Sequence, residues 1–318
     1  MTHDLAMLHN EMSNNEVPNN EIAHSAPRPL PRFLMCRPQH FAVAYSINPW
    51  MDPKSWACDD VALSIESRKE WKRLHRTLLH LGAQIEFVTA APGLPDLVFT
   101  ANAAVVLNGT ALLARFRHTE RQAEEAHYAA AFGKLQAHGR IDAVRHLPRN
   151  ITLEGAGDCV FDATRQIFWM GYGPRSDRTA REPVADTFGA DTLALELVDP
   201  RFYHMDTALV PLPRGEVMIV PEAFSADGRN AIYDRVEPDQ RIELAIEDSV
   251  RLAANAVCIG STIVLSGASA NLRARLHERG YTVVETPLDS FLRSGGSAFC
   301  LTLRLDRQSE TRRMGHAA

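Results

Sequence analysis

The sequence predicts a single α/β domain built from a repeated unit, and two observations indicate it. Segments with the pattern of a β-hairpin, an amphipathic helix and a further strand follow one another several times in the same order. The composition agrees, because 45% hydrophobic and 23% charged residues in a chain of 318 are ordinary for a globular protein with a sizeable core. One repeating domain explains this order better than two unrelated domains.

Residues 1–31 differ from the rest of the chain. They are rich in Asn, Glu, Pro and His and show no apolar periodicity, which predicts a disordered tail. Residues 32–318 are then expected to form the domain. Because the chain shows no basic start followed by an apolar segment, and no run of about 18 apolar residues, we expect neither a signal peptide nor a membrane span.

The first repeat begins with a short buried strand, 33–36, which Arg37-Pro38 ends. A helix over 59–80 follows, and residues 83–88 then read as a strand. Apolar residues of the helix recur near a 3.6-residue period. These residues, expected on its buried face, are Val61, Ile65, Trp71, Leu74 and Leu78.

The later repeats show the order more fully. Asn108-Gly109 predicts a hairpin turn between an apolar run that ends at residue 107 and a return strand over 110–116. A second hairpin is expected to turn at residues 213–215. The other predicted strands are 144–147, 166–171, 193–197, 207–212, 216–220, 261–265, 282–285 and 300–305, and the predicted helices are 119–137, 179–188, 223–236 and 270–279.

Charge and cysteine content limit the function. A net charge of −5 argues against a nucleic-acid partner and is compatible with a cationic small substrate. The five cysteines, at positions 36, 58, 159, 258 and 300, are scattered and form no CxxC pair. They therefore predict neither a disulfide framework nor a zinc ribbon, and they fit a reducing cytoplasm.

Cys300 is the candidate nucleophile. It follows a small, glycine-rich segment, 294–297, and begins an alternating apolar run, so a loop would place its thiol at the mouth of a strand without a bulky neighbour. On its own the signal is weak, because a lone Cys among apolar residues is more often a small buried hydrophobe. Two distant stretches, 154–158 and 202–207, would supply its partners.

A thiol nucleophile needs a base or acid, which a carboxylate usually orients. His204 is the candidate, with Asp206 two residues on and therefore on the same face of a predicted strand. Glu154 and Asp158 flank two glycines, an arrangement that lets carboxylates approach a ligand closely. Each has an ordinary structural explanation, as a core histidine or a turn, cap or surface acid. Because no second His lies at metal-ligand spacing, a thiol mechanism without metal or cofactor is preferred.

Other polar residues occur in apolar or ordered surroundings. The apolar run over 95–107 contains Asp96 and Asn102, whose burial would be costly unless they were used. Asn48 lies in an ordered loop, 45–51. That loop either presents Asn48 to a ligand or is merely pinned by Trp50.

Five stretches in this order, 45–51, 96–104, 154–158, 203–207 and 295–300, resemble the guanidino-group-modifying enzymes of the pentein superfamily. The resemblance implies a five-bladed α/β propeller of ββαβ units around a central polar pocket, in agreement with the repeated order. It also implies roles for three residues: Cys300 as nucleophile, His204 as general acid and base, and Glu154 as hydrogen-bond partner of the guanidino group.

Within the superfamily, one residue favours a subgroup. Deiminases and amidinotransferases typically carry Asp where this sequence has Asn102, and the Thr-Ala-Asn-Ala stretch with the Ile-Asn-Pro-Trp loop is similar to the arginine dihydrolases. A carboxylate only accepts hydrogen bonds from a guanidinium, whereas an amide also donates one to a neutral ureido oxygen. Asn102 would therefore let the enzyme retain citrulline and process it again.

The remaining binding residues follow from charge. We expect Asp206, with Glu154, to steady the planar cation, and Asp158 to belong to the same pocket. Arg121 is the candidate for the substrate α-carboxylate, because a guanidinium fork matches a carboxylate. A surface i,i+4 pair of Arg121 with Glu125 is an equally good explanation.

The expected function is thus an arginine dihydrolase that gives ornithine, ammonia and carbon dioxide, acting on a small molecule in the cytoplasm, with no nucleic-acid or membrane partner. Hydrolysis of arginine or dimethylarginine to citrulline is the alternative. Transfer of the amidino group, a non-catalytic pentein binding protein and a Cys-His hydrolase of peptides or acyl groups are weaker alternatives. A homo-oligomer stays open.

Overall fold

The computed structural model describes residues 30–310 and Arg312. The predicted disordered tail lies outside the described residues except for its last two positions, as do residues 311 and 313–318 of the predicted domain. Across the described residues, no helix is both long enough and apolar enough to cross a membrane.

Fifteen short strands form five three-stranded sheets within the described part of the chain. In chain order they are β1 (Arg32–Cys36), β2 (Gln84–Val88), β3 (Ala104–Leu107), β4 (Thr110–Leu113), β5 (Ala143–His146), β6 (Cys159–Asp162), β7 (Ile167–Tyr172), β8 (Asp191–Glu196), β9 (Leu209–Pro211), β10 (Val217–Ile219), β11 (Arg241–Glu243), β12 (Val257–Ile259), β13 (Thr262–Leu265), β14 (Thr282–Glu285) and β15 (Leu303–Arg304).

The helices cross over between the strands or form short turns. They are α1 (Pro53–Cys58), α2 (Asp60–His80), α3 (Thr119–Gln122), α4 (Glu124–Ala137), α5 (Gly155–Asp158), α6 (Arg181–Phe188), α7 (Met205–Ala208), α8 (Ala226–Tyr233), α9 (Ile246–Ser249), α10 (Ala270–Glu278) and α11 (Asp289–Leu292). Single 3₁₀ turns cover Pro95–Val98, Thr100–Ala103, Arg178–Ala180, Pro221–Ala223 and Pro238–Gln240.

Each sheet is one ββαβ unit. In four of them an antiparallel hairpin leads through a helix to a third strand parallel to the second, as in β3, β4 and β5. The fifth sheet joins the two ends of the described chain, because β15 pairs antiparallel with β1 and β1 pairs parallel with β2. The predicted repeat is confirmed, and this closure turns five successive units into a ring.

A short turn precedes the first strand of every unit, and we call these segments the entry turns. They cover residues 100–103, 155–158, 205–208, 252–256 and 298–302. Nearly every residue in the five entry turns is buried. The five entry turns lie at the same end of their units and therefore face a common centre.

Three expectations about the elements were wrong. Residues 300–302 form a turn, and β15 begins only at Leu303, so Cys300 is not the first residue of a strand. The sequence analysis also missed β11 and β12, which have only three residues each.

The third error concerns the helix α2. Val61 and Ile65 are 68% and 48% exposed, whereas Trp71, Leu74 and Leu78 are buried as predicted. A helix of 21 residues is about 30 Å long, roughly twice the length of the five-residue strands beside it. Its first turns therefore extend past the sheet.

Candidate active site

A closed ring of hydrogen bonds joins the five entry turns. Each turn is linked to the next around the centre of the fold by at least one bond. The links are Ala101 N to Cys300 O at 3.1 Å, Asn102 Nδ2 to Glu154 O at 3.3 Å, Met205 N to Asp158 Oδ1 at 3.1 Å, Asn255 Nδ2 to Asp206 O at 3.2 Å and Cys300 N to Asn255 Oδ1 at 3.0 Å. Polar side chains of each unit are thus held by the neighbouring units.

Glu154 and His204 lie next to each other at the centre of the ring. Glu154 Oε2 lies 2.9 Å from His204 Nε2 and accepts a hydrogen bond of 2.9 Å from Arg175 Nη1. Burial opposes ionisation of Glu154, but Arg175 and His204 outweigh it and hold the pKa of this carboxyl well below its usual range. Burial lowers the pKa of His204 although Glu154 opposes the shift, so this imidazole is neutral near pH 7.

His204 and Asp206 do not lie on a strand. His204 directly precedes α7, and Asp206 lies inside that single helical turn. The same-face argument for these two residues was therefore wrong, and the helical turn, rather than a strand, brings them to the site. Thr207 donates to the His204 carbonyl oxygen through both its hydroxyl group and its backbone N–H, which fixes this turn.

The thiol of Cys300 lies against a carboxyl group. Sγ is 3.1 Å from Asp206 Oδ2, and Asn255 Nδ2 donates to the same sulfur at 3.0 Å. Burial and then Asp206 raise the pKa of Cys300 well above its usual range. Burial also raises the pKa of Asp206, to about 7, and its Oδ1 has no hydrogen-bond partner among the described residues. An unpaired carboxyl oxygen beside a thiol suits a planar cation.

Asp158 holds the turn that carries His204. Its Oδ2 accepts a hydrogen bond of 2.5 Å from Ser176 Oγ, and its Oδ1 accepts one from Met205 N. Burial raises the pKa of Asp158 well above its usual range. The distance from His204 Nε2 to Asp158 Oδ2 is 3.9 Å, so Asp158 lies near the imidazole while its hydrogen bonds support the framework.

Arg121 is buried, and its guanidinium group is hydrogen-bonded to two side chains. Its Nε and Nη2 donate to the two carboxylate oxygens of Glu124 at 2.9 and 2.8 Å, and its Nη1 donates to Asn102 Oδ1 at 2.9 Å. A surface pair with Glu125 was therefore a wrong interpretation. Because Glu124 occupies the fork, Arg121 does not present two parallel N–H groups to a substrate carboxylate in this structure.

Asn48 and Asp96 hold the glycine-rich loop that precedes Cys300. Asn48 Nδ2 donates to Ser294 O at 3.1 Å, and its Oδ1 accepts from Trp50 N. Asp96 accepts from Tyr45 Oη at 2.9 Å and from Ser294 Oγ at 3.5 Å. Both residues contact Ser294, so their hydrogen bonds help to fix the loop that leads to Cys300.

Two glycines explain the Glu-Gly-Ala-Gly-Asp spacing. Gly155 has φ +62°, and a Cβ there would lie 2.7 Å from the backbone of Ala101 and Asn102. A Cβ at Gly157 would overlap the amide group of Asn102. The entry turns at 100–103 and 155–158 therefore approach each other backbone to backbone, and larger residues would separate them.

Comparisons with known proteins agree with this geometry. Residues 37–307 match the profile of a family described as "N,N dimethylarginine dimethylhydrolase, eukaryotic". The chain belongs to this family. The structure also matches solved pentein enzymes, which confirms the predicted superfamily and the five-bladed α/β fold.

Two curated relatives and one solved structure show what the chain is similar to. It is 40% identical over 276 residues to the bifunctional arginine dihydrolase/ornithine cyclodeaminase ArgZ of Synechocystis, covering 86% of this chain and 37% of ArgZ. It is 36% identical to the N(G),N(G)-dimethylarginine dimethylaminohydrolase of Mycobacterium tuberculosis, covering 86% and 85% of the two chains. The crystal structure of the substrate-bound N-terminal domain of the cyanobacterial ArgZ matches with a TM-score of 0.81 and 39% identity, covering 87% of this chain and 99% of that domain.

Two buried residues of this pentein site, Arg175 and Asn255, were not predicted from the sequence. Arg175 contacts Glu154, packs 4.6 Å above the Tyr203 ring and lies in a Gly-Pro loop directly after β7. Asn255 contacts Cys300 from the entry turn at 252–256. A usable signal existed for Asn255, because a polar residue inside the apolar run 252–257 is costly to bury unless it is used, as at Asn102.

Metal ligation finds no support in residue clustering. Within residues 30–310, no three His, Cys, Asp or Glu side chains converge as a metal site would require. The polar side chains of the entry turns are instead bonded to one another.

Proposed function

We propose that the chain is an arginine dihydrolase: arginine and two water molecules give ornithine, two ammonia molecules and carbon dioxide. The observation that carries the proposal is Asn102, an amide in the entry turn beside Glu154, within a site that also holds a thiol and an imidazole. The similarity to ArgZ supports it, although the chain spans about 37% of the length of that relative. A cytoplasmic location is part of the proposal, since all five cysteines are free.

The first half-reaction forms a covalent intermediate. The Cys300 thiolate attacks the guanidinium carbon, while Glu154 and the unpaired Oδ1 of Asp206 hold the planar cation. His204 takes up the thiol proton and passes it to the departing nitrogen, so that ammonia leaves and an S-linked amidino group remains on the sulfur.

Substrate binding promotes the loss of the thiol proton. Neutral His204 supplies no positive charge to a thiolate, and Asp206 opposes one. A guanidinium bound at Asp206 replaces this repulsion by attraction and lowers the pKa of Cys300. Substrate binding and nucleophile activation are therefore one event.

Water completes the first round. His204 takes a proton from a water that attacks the intermediate carbon, the C–S bond breaks, and citrulline forms with the thiol restored. Asn102 has one amide hydrogen bonded to Glu154 O, which leaves a second for the ureido oxygen of citrulline. A retained citrulline undergoes the same attack again and gives ornithine, ammonia and carbon dioxide. Arg121 stays the proposed partner of the substrate α-carboxylate. For this role, the Arg121 guanidinium group would have to break its hydrogen bonds to Glu124.

Hydrolysis of dimethylarginine to citrulline and dimethylamine is the second candidate. The family profile over residues 37–307 and the mycobacterial relative, which aligns over 85% of its own length, favour it. The same Cys300 chemistry would serve, with dimethylamine as the leaving group.

A product analysis separates the two candidates. Purified protein receives L-arginine, citrulline or asymmetric dimethylarginine, and ornithine, citrulline, ammonia and dimethylamine are measured, with Cys300→Ser as the control. Ornithine with two ammonia per arginine, absent in the variant, is the expected result. Citrulline as the end product from dimethylarginine establishes the second candidate, and no turnover of any of the three overturns both.

A further inference from the structure

One entry turn carries no residue with a role in the proposed chemistry. The other four supply Asn102, Glu154 with Asp158, His204 with Asp206, and Cys300, directly before or within each turn. The turn at 252–256 places Asn255 two residues before β12, and this side chain is fully buried. It lies between the turn of Asp206 and the turn of Cys300 in the hydrogen-bonded ring.

The contacts of Asn255 fix the orientation of its amide group. The Cys300 backbone N–H can only donate, so the atom that receives it at 3.0 Å is Oδ1. Nδ2 must then face Cys300 Sγ at 3.0 Å and Asp206 O at 3.2 Å, with one hydrogen for each. The donor end of the amide is therefore directed at the sulfur, and it cannot rotate away without losing three hydrogen bonds.

The backbone that presents Asn255 is strained. Leu252 is buried with φ +53°, a conformation that a branched residue rarely adopts, and its carbonyl oxygen accepts a hydrogen bond of 2.9 Å from Asn255 N. Asn255 O in turn accepts from Phe299 N, next to the nucleophile. Strain of this kind persists where the surroundings require one geometry.

We propose that Asn255 is the positioning residue of the nucleophile, donating to Cys300 Sγ to stabilise the thiolate while its Oδ1 holds the Cys300 backbone. The inference rests on the proposed role of Cys300 and deepens it. The Asp206 carboxyl group, which contacts the sulfur, favours the protonated thiol. Asn255 and the Ser297 backbone N–H oppose it, and both lower the pKa of Cys300.

The test measures the thiolate directly and needs no substrate. The full chain is treated with iodoacetamide between pH 6 and 10 and digested with trypsin, and alkylation of the 294–304 peptide, which holds Cys300 alone, is quantified. Exposed Cys58, in the 55–68 peptide, is the internal reference. Asn255→Asp keeps the acceptor for the Cys300 N–H but replaces the donor. Asn255→Ser is the second variant, because the serine side chain is too short to reach both the Cys300 backbone N–H and the Cys300 sulfur.

In either folded variant, the rate of Cys300 alkylation at a given pH, relative to that of Cys58, is expected to fall by at least about tenfold, because a pKa rise of about one unit removes nine-tenths of the thiolate. The Cys58 profile stays unchanged. Equal relative rates of Cys300 alkylation in wild type and a folded variant, including no alkylation in either, would overturn the proposal. Arginine turnover is assayed separately, so slower Cys300 alkylation in the variants without turnover in wild type would leave Asn255 in place and remove only the dihydrolase function.

Discussion

Arg121 Nη1 donates to Asn102 Oδ1 at 2.9 Å, and this bond decides which end of the Asn102 amide faces Glu154. A guanidinium has no acceptor, so the carbonyl end of Asn102 must turn toward it. The NH₂ end then faces the Glu154 turn, where the substrate guanidino group is proposed to bind. Arg121 thereby orients Asn102, the residue on which we propose that the choice between one and two rounds of hydrolysis depends.

Asn102→Asp is expected to shift the product from arginine toward citrulline. The carboxylate keeps the bond to Arg121 but loses the donor that would hold the ureido oxygen of citrulline. Citrulline and ornithine are measured from the same arginine reaction over time. An unchanged product ratio would show that the amide does not retain the intermediate.

Glu124→Gln is expected to destabilise the protein by about 3–5 kcal/mol, because it leaves the Arg121 cation buried without its partner. Urea unfolding measures the free energy of unfolding. Glu120→Gln, an exposed acid in the preceding turn α3, is the matched control and is expected to change stability by less than about 0.5 kcal/mol. Equal effects of the two changes would mean that the Arg121–Glu124 pair contributes nothing specific.

Gly155→Ala is expected to impair both folding and activity, and Gly189→Ala separates the two causes. Both glycines have φ near +60°, but a Cβ at Gly189 meets no atom within 4 Å, whereas one at Gly155 meets the backbone of the neighbouring entry turn. Gly189→Ala should cost about 1–2 kcal/mol of stability with activity retained. Gly155→Ala should cost more and lower arginine turnover by about 100-fold, because the turn of Glu154 must move. Thermal unfolding and turnover are compared, and matching losses in the two variants would contradict the close approach.

The residues that we propose as the core of this site could be singled out in the sequence because they break local patterns. Cys300 follows small residues, and Glu154 and His204 lie in motifs that combine glycine or aromatic residues with acids. Arg175 could not be predicted in this way, because an arginine in a polar loop resembles any surface cation until the fold places it over the Tyr203 ring.

The prediction that a strand begins at Cys300 was wrong for a related reason. Alternation of apolar residues from 300 to 305 is typical of a strand, but residues 298–302 form a turn in which every residue except the partly buried Phe299 is buried. Burial makes a turn apolar too, and periodicity does not distinguish the two over so few residues.

Glu70→Gln is expected to flatten the decline of stability with pH. Glu70 is buried on α2, accepts a hydrogen bond of 3.0 Å from Ser290 N in α11, and burial raises its pKa to about 7. Folding favours the protonated form of the Glu70 carboxyl. Its contribution to the stability of the folded protein is therefore fully present below about pH 4.5, the pKa of an ordinary Glu, and is lost as the pH rises through 7.

The measurement is urea unfolding of wild type and variant at pH 5 and pH 8. Relative to wild type, Glu70→Gln should be more stable at pH 8 than at pH 5. Glu66→Gln, on the same helix and half-exposed beside Lys69, controls for the loss of one carboxylate. A pH-independent difference between wild type and Glu70→Gln would rule out titration of this carboxyl.

The closing strand β15 also sets the order in which the site is completed during synthesis. Cys300 lies three residues before β15, and β15 pairs with β1, which is made first. A ribosome therefore releases the residues of the other four entry turns before the proposed nucleophile exists. The growing chain carries the acids, imidazole and amides of the site without the thiol of Cys300, so the proposed catalysis can begin only after the last sheet closes the ring.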